Sequence, residues 1–147
     1  MSVTVAIAAP DDADELVSAL DGLVPQLSRS NPPPTPEQVA ELLAASATDQ
    51  FVARDGDGVI IGVATLATFR IPTGVRAWIE DVIVDESARG QGVGEALTRA
   101  MLAHASGLGA VTVDLTSRPE RDAANRLYQR IGFQQRETNV YRYDVRA

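Results

Sequence analysis

Apolar and polar positions change period several times along this 147-residue chain, and each change predicts an element. Residues 3–8 alternate apolar and polar, which predicts a first strand. Asp11 and Asp12 then offer N-caps to a helix carrying Leu16, Val17, Leu20 and Val24 at helical spacing. The run Asn31-Pro32-Pro33-Pro34 breaks the chain into a loop. Thr35 followed by Pro36 predicts the cap and first residue of a second helix through Val39, Leu42 and Leu43. Residues 50–54 and 59–69 predict two strands joined by the tight turn Asp55-Gly56-Asp57-Gly58. After a second turn, Ile71-Pro72-Thr73-Gly74, residues 77–84 read as a strand apolar on both faces, as expected inside a sheet.

The period then lengthens. Val93, Ala96, Leu97, Ala100, Met101 and His104 recur at three and four, predicting an amphipathic helix that stops at Gly107 and Gly109. Val111, Val113 and Leu115 alternate as a strand, and residues 120–131 form a further helix ended by Gly132. Residues 133–145 contain two short strand-like runs. The order β-α-α-β-β-β-α-β-α-β-β describes a mixed α/β fold of α+β-like character, with one strand–helix–strand crossover in its second half. Without an internal repeat or a linker, residues 1–147 read as one domain.

Composition narrows the function classes. Apolar residues make up 45% and charged residues 22%, an ordinary globular balance. No apolar run approaches the roughly 20 residues that cross a bilayer. With no cysteine and no basic leader at the N-terminus, a cytoplasmic setting is expected. A net charge of −7 argues against nucleic acid or an anionic membrane as partner. The charge is uneven: residues 1–69 hold two Arg against ten acidic residues, whereas 70–147 hold eleven Arg against ten. An anionic ligand is therefore expected in the second half, and a cationic one suits the first.

The candidate chemistry lies where the strand at 77–84 ends, in Asp85-Glu86-Ser87-Ala88-Arg89-Gly90-Gln91-Gly92-Val93-Gly94-Glu95. Glycines at 90, 92 and 94 leave backbone N–H groups uncovered at the positive end of a helix, which suits a phosphate or pyrophosphate. A Walker loop requires Lys, and this chain has none. The dinucleotide pattern G-x-G-x-x-G fails, because Glu95 or Leu97 stands in its third place. The pattern that fits is Arg/Gln-x-x-Gly-x-Gly/Ala, as Arg89-Gly90-Gln91-Gly92-Val93-Gly94. Downstream, Leu127-Tyr128-Gln129-Arg130-Ile131-Gly132-Phe133 matches Leu-Tyr-x-x-x-Gly-Phe at a helix end. On these two motifs and the element order, nearly the whole chain resembles the GNAT N-acetyltransferase superfamily.

The resemblance implies one GNAT-like domain with a central mixed sheet of about seven strands flanked by about four helices. It also implies acetyl-CoA as co-substrate, without a metal, and a small-molecule or peptide primary amine as acceptor, attacking directly in a ternary complex. Residues Arg89, Gly90, Gln91, Gly92, Val93, Gly94 and Glu95 would wrap the pyrophosphate. A bulged strand splayed from its neighbour would let Val82, Ile83 and Val84 offer backbone groups to pantetheine and the thioester carbonyl. Tyr128 would protonate the departing thiolate, and Glu80 would take the proton of the amine. Asp81, on the opposite face of a regular strand, and a water relay remain alternatives for that base. Two departures stand out: Arg121 replaces an Asn that many relatives carry seven residues before the Tyr, with Asn125 as a substitute one turn before Tyr128. The lone His104 suits a helix end or core edge better than catalysis. A non-catalytic acyl-CoA sensor is the alternative function, and a homodimer through residues 137–143 stays open.

Overall fold

Local signals account for most element boundaries in the computed structural model, which describes residues 2–146. The chain forms two compact units, one ending at Thr116 and one beginning at Ser117. The first contains β1 (Thr4–Ile7), α1 (Ala13–Leu27), α2 (Pro36–Ala44), β2 (Thr48–Arg54), β3 (Ile60–Ile71), β4 (Gly74–Val84), α3 (Val93–Gly107) and β5 (Ala110–Asp114). Thr35 and Gln38 form a reciprocal cap on α2: Gln38 N–H donates to Thr35 Oγ1 at 3.2 Å and Thr35 N–H to Gln38 Oε1 at 2.9 Å. Asp12 acts differently from expectation. Its side chain does not cap α1; it accepts the Ala9 N–H at 2.8 Å, at the head of a 3₁₀ turn over Pro10–Asp12. Asp55 closes the β2–β3 turn by accepting N–H groups from Asp57 and Val59 at 2.9 and 3.0 Å.

The sheet order is β1-β2-β3-β4-β5, antiparallel except for the parallel β4–β5 pair, whose crossover is α3. Alternation sends Val52 and Val63 into a cluster with Leu16, Leu20, Leu23 and Val39 of α1 and α2. Their neighbours turn the other way: the Phe51 ring meets His104 edge-on at 5.7 Å, and Gly62 faces Val93 and Leu97 of α3. The sheet thus lies between α1–α2 and α3.

The second unit contains α4 (Asp122–Ile131), ended by Gly132 at φ 125°. Among the described residues the sheet has five strands, and residues 133–146 add none toward the expected seven. Val140, Tyr141, Tyr143 and Val145 in this segment are exposed. Their alternation supplies strand propensity, but a strand also needs a neighbouring edge to accept its hydrogen bonds, which periodicity does not encode. The four α-helices agree with expectation, and no helix among the described residues is long and apolar enough to cross a membrane.

Candidate functional site: a bulged strand, a glycine loop and an acidic cleft

The site in the first unit grows from an irregularity in β4. Val63 pairs with Ile83 but Thr65 pairs with Glu80, so two steps along β3 match three along β4. Asp81 and Val82 therefore share one partner position, a β-bulge with Asp81 at φ 48°. Asp tolerates this left-handed conformation better than most side chains. On its other edge β4 pairs with β5 only from Val75 to Trp78. Past Trp78 no strand lies beside that edge among the described residues, which leaves the backbone of Val82, Ile83 and Val84 without a ladder there.

The loop that follows is tied down at several points. Asp85 accepts from Ser87 N–H at 3.2 Å and from the Ser87 hydroxyl, shaping a 3₁₀ turn over Glu86–Ala88. Arg89 turns back, its Nε donating to the Val84 carbonyl at 3.2 Å. Gly90 and Gly92 then take φ of 76° and 83°, and Gly92 is the N-cap of α3. Nothing lies within 4 Å of where a Cβ would project from either glycine, so the backbone there is open to a ligand. The first N–H groups of α3 have no intrahelical acceptor and sit at its positive end, which fits a diphosphate. Glu95 turns its carboxylate to Arg99 at 2.9 Å, leaving its backbone N–H as the part with the right sign for an anion.

Gln26, which the sequence analysis passed over, clamps this loop to α1. Its Nε2 donates to Asp85 Oδ1 at 2.8 Å and to the Gly22 carbonyl at 3.1 Å, while its Oε1 accepts the Glu86 N–H at 2.9 Å. The available signal was a polar residue three positions after buried Leu23, on the face that otherwise meets the core. The Ser87 hydroxyl, and next the Gln26 amide, hold the Asp85 carboxyl below its ordinary range. That stabilisation is present above the ordinary carboxylate value and is lost as pH falls through the lower folded value. Gln26→Ala is expected to cost about 1–2 kcal/mol of stability and to start acid unfolding at a higher pH, read by urea and acid titrations.

A cleft of about 410 Å³ opens between α1, the loop before α2, and the sheet. Leu20, Val24, Leu27 and Leu42 form one wall, with Ser28, Asn31 and Gln38 adding polar groups. Gln50 and Thr65 in its floor are already engaged with each other, Thr65 Oγ1 donating to Gln50 Oε1 at 2.6 Å. Glu80 and Asp81 both line the cleft and both are exposed. This corrects two expectations: β4 is not apolar on both faces throughout, and Asp81 is not kept from the cleft that Glu80 lines. The bulge breaks the two-residue alternation that would have separated them. His104 stands on the α3 side, its Nε2 2.9 Å from Asp49 Oδ2, at the core edge as expected.

In the second unit, Tyr128 is buried in α4 and its ring meets Phe133 edge-on at 5.6 Å. Burial pushes its phenol up from the ordinary tyrosine value, with the Arg121 charge opposing, so the hydroxyl keeps its proton at neutral pH. Asn125 does not stand in freely for the Asn that Arg121 replaces, because its Nδ2 donates to the Arg118 carbonyl at 3.0 Å.

Comparison with known proteins finds relatives in both sequence and fold. A model of the Acetyltransferase (GNAT) family matches residues 18–133, spanning the glycine loop and Tyr128. Glucosamine 6-phosphate N-acetyltransferase 1 of Oryza sativa subsp. japonica is 32% identical over 131 residues, covering 83% of this chain and 77% of that protein. Among solved structures, a putative acetyltransferase from Agrobacterium tumefaciens str. C58 superposes with a TM-score of 0.82 at 26% identity, over 96% of this chain and 99% of that one. A transcriptional regulator from Bacillus halodurans C-125 superposes with a TM-score of 0.80 at 25% identity, over 97% and 100%. By sequence and by fold, this chain belongs to the GNAT acetyltransferase family.

Proposed function

We propose that the protein is an acetyl-CoA-dependent N-acetyltransferase that moves an acetyl group to a primary amine by direct attack in a ternary complex. The observation that carries this reading is the loss of β5 from the edge of β4 after Trp78, on the strand that feeds two left-handed glycines at a helix N-terminus. An open strand edge suits an extended pantetheine arm, and the loop suits its diphosphate.

Each residue then has a definite task. Backbone N–H groups of residues 89–95, with the positive end of α3, hold the diphosphate. Val82, Ile83 and Val84 offer backbone donors and acceptors to the pantetheine amides. One of those donors, aimed at the acyl oxygen, stabilises the charge that develops there. When bound, acetyl-CoA supplies an activated acyl thioester whose departing thiol resembles Cys, with a pKa of about 8.5. The acceptor, if it resembles lysine with a pKa of about 10.4, must lose a proton before it attacks. Glu80, exposed to the cleft, takes that proton directly or through water. Tyr128, whose hydroxyl burial keeps protonated, donates to the departing sulfur. The setting we assign is the cytoplasm.

The test is thiol release from acetyl-CoA across a panel of primary amines, with acetyl-CoA binding followed by calorimetry. Amine-dependent release is expected, and a chain that binds no acetyl-CoA would overturn the reading. A second reading, a non-catalytic acyl-CoA sensor, draws on the similarity to a protein named as a transcriptional regulator. Acetyl-CoA binding without release on any amine would favour it.

A further inference from the structure

The cleft's lining says more than that an amine enters. Its described lining residues include two carboxylates, Glu80 and Asp81, and no positively charged side chain. Among the described residues neither carboxylate forms an ion pair, although Arg76 lies on the same strand. Two negative charges lining one cleft favour a cation beside them. In a regular strand they would face apart; the bulge brings both to one cavity. The opposite wall is aliphatic, formed by Leu20, Val24 and Leu42.

We infer that the acceptor is a small amine with a second amino group, protonated at neutral pH, on an apolar body, and that Asp81 is the specificity-determining residue that holds this charge. The inference rests on the transferase reading and deepens it. The two carboxylates cannot share one ammonium throughout the reaction. The attacking nitrogen must become neutral, its proton leaving to Glu80, so at that point it no longer balances Asp81. A second ammonium on the same molecule does balance it, and the chain between the two nitrogens lies along the aliphatic wall. The cavity is in the size range of small-molecule sites. A phosphosugar would bring about −1.5 to −2 charges into this acidic cleft with no cation to receive them. By this argument the acceptor differs in charge from the glucosamine 6-phosphate in the rice relative's name.

The test uses the full chain and three probes: 1,6-diaminohexane, hexylamine and glucosamine 6-phosphate. Calorimetry measures their binding to the wild type and to Asp81→Asn, and thiol release from acetyl-CoA is followed with each. Asn also tolerates the left-handed conformation at position 81, so the bulge persists, which a thermal melt checks. The diamine is expected to bind the wild type roughly tenfold tighter than hexylamine, with glucosamine 6-phosphate weakest. In Asp81→Asn the ratio of diamine to hexylamine affinity is expected to fall toward one. Glucosamine 6-phosphate binding as tightly as the diamine would overturn the inference. So would a ratio near one in the wild type, or a ratio that Asp81→Asn leaves unchanged. Thiol release without a diamine preference would defeat this inference alone. A diamine preference without release on any amine would defeat the transferase reading instead.

Discussion

Replacing Tyr128 with Phe is expected to lower kcat by about 10²–10⁴-fold while acetyl-CoA binds as before. The substitution removes one oxygen and keeps the ring that meets Phe133. A lost proton donor acts only as the sulfur departs, so kcat and kcat/KM should fall together. Steady-state kinetics beside calorimetry separates this from a folding defect. A kcat within about twofold of the wild type would remove Tyr128 from the mechanism. The same variant has an alkaline signature. Burial raises the folded phenol pKa, so its contribution is present below the ordinary tyrosine value and is lost as pH rises through the higher folded value. Alkaline loss of stability should therefore be smaller in Tyr128→Phe, as read by urea titrations at a series of basic pH values.

The second large effect is expected at a residue far from any reacting atom. A Cβ at Gly62 would lie 2.9 Å from Val93 Cγ1, 3.2 Å from Leu97 Cδ1 and 3.3 Å from the Ile83 carbonyl oxygen. Val93 and Leu97 are almost wholly buried and lie one turn apart at the start of α3, which the glycine loop enters. Neither can give way without moving the helix start. Gly62→Ala is expected to destabilise the fold by about 1–3 kcal/mol and to weaken acetyl-CoA binding, because the displaced turn carries the N–H groups. Gly22, inside α1, provides the opposite case, with nothing within 4 Å of its Cβ position. Gly22→Ala is expected to stabilise by about 0.5–1 kcal/mol. Thermal and urea unfolding of the pair decide the point: a Gly62→Ala variant as stable as the wild type would mean that α3 does not need this close approach.

Periodicity, caps and turn residues are properties of neighbouring residues, and most of the elements they predicted formed. Thr35-Pro36 opened α2, Asp55-Gly56-Asp57-Gly58 closed a hairpin, and Gly107 and Gly109 marked the end of α3. The glycine loop was legible for the same reason, since left-handed backbone at a helix start leaves its mark as glycine. Gly62 left a fainter mark: a glycine within a strand pattern signals close approach, though not what approaches.

What the sequence by itself determined, then, is the family, the order of elements through α4 and the glycine loop that opens α3, all written in short-range spacing. Tertiary structure alone decided three further matters. The bulge at Asp81 depends on the register between β3 and β4, so alternation read along one strand set Glu80 and Asp81 apart when they share a cleft. Gln26 reaches Asp85 and Glu86 across 59 and 60 positions, a distance no local pattern spans. The segment after Phe133 has strand-like alternation without a strand, because pairing requires a second edge and a sequence specifies only its own side chains.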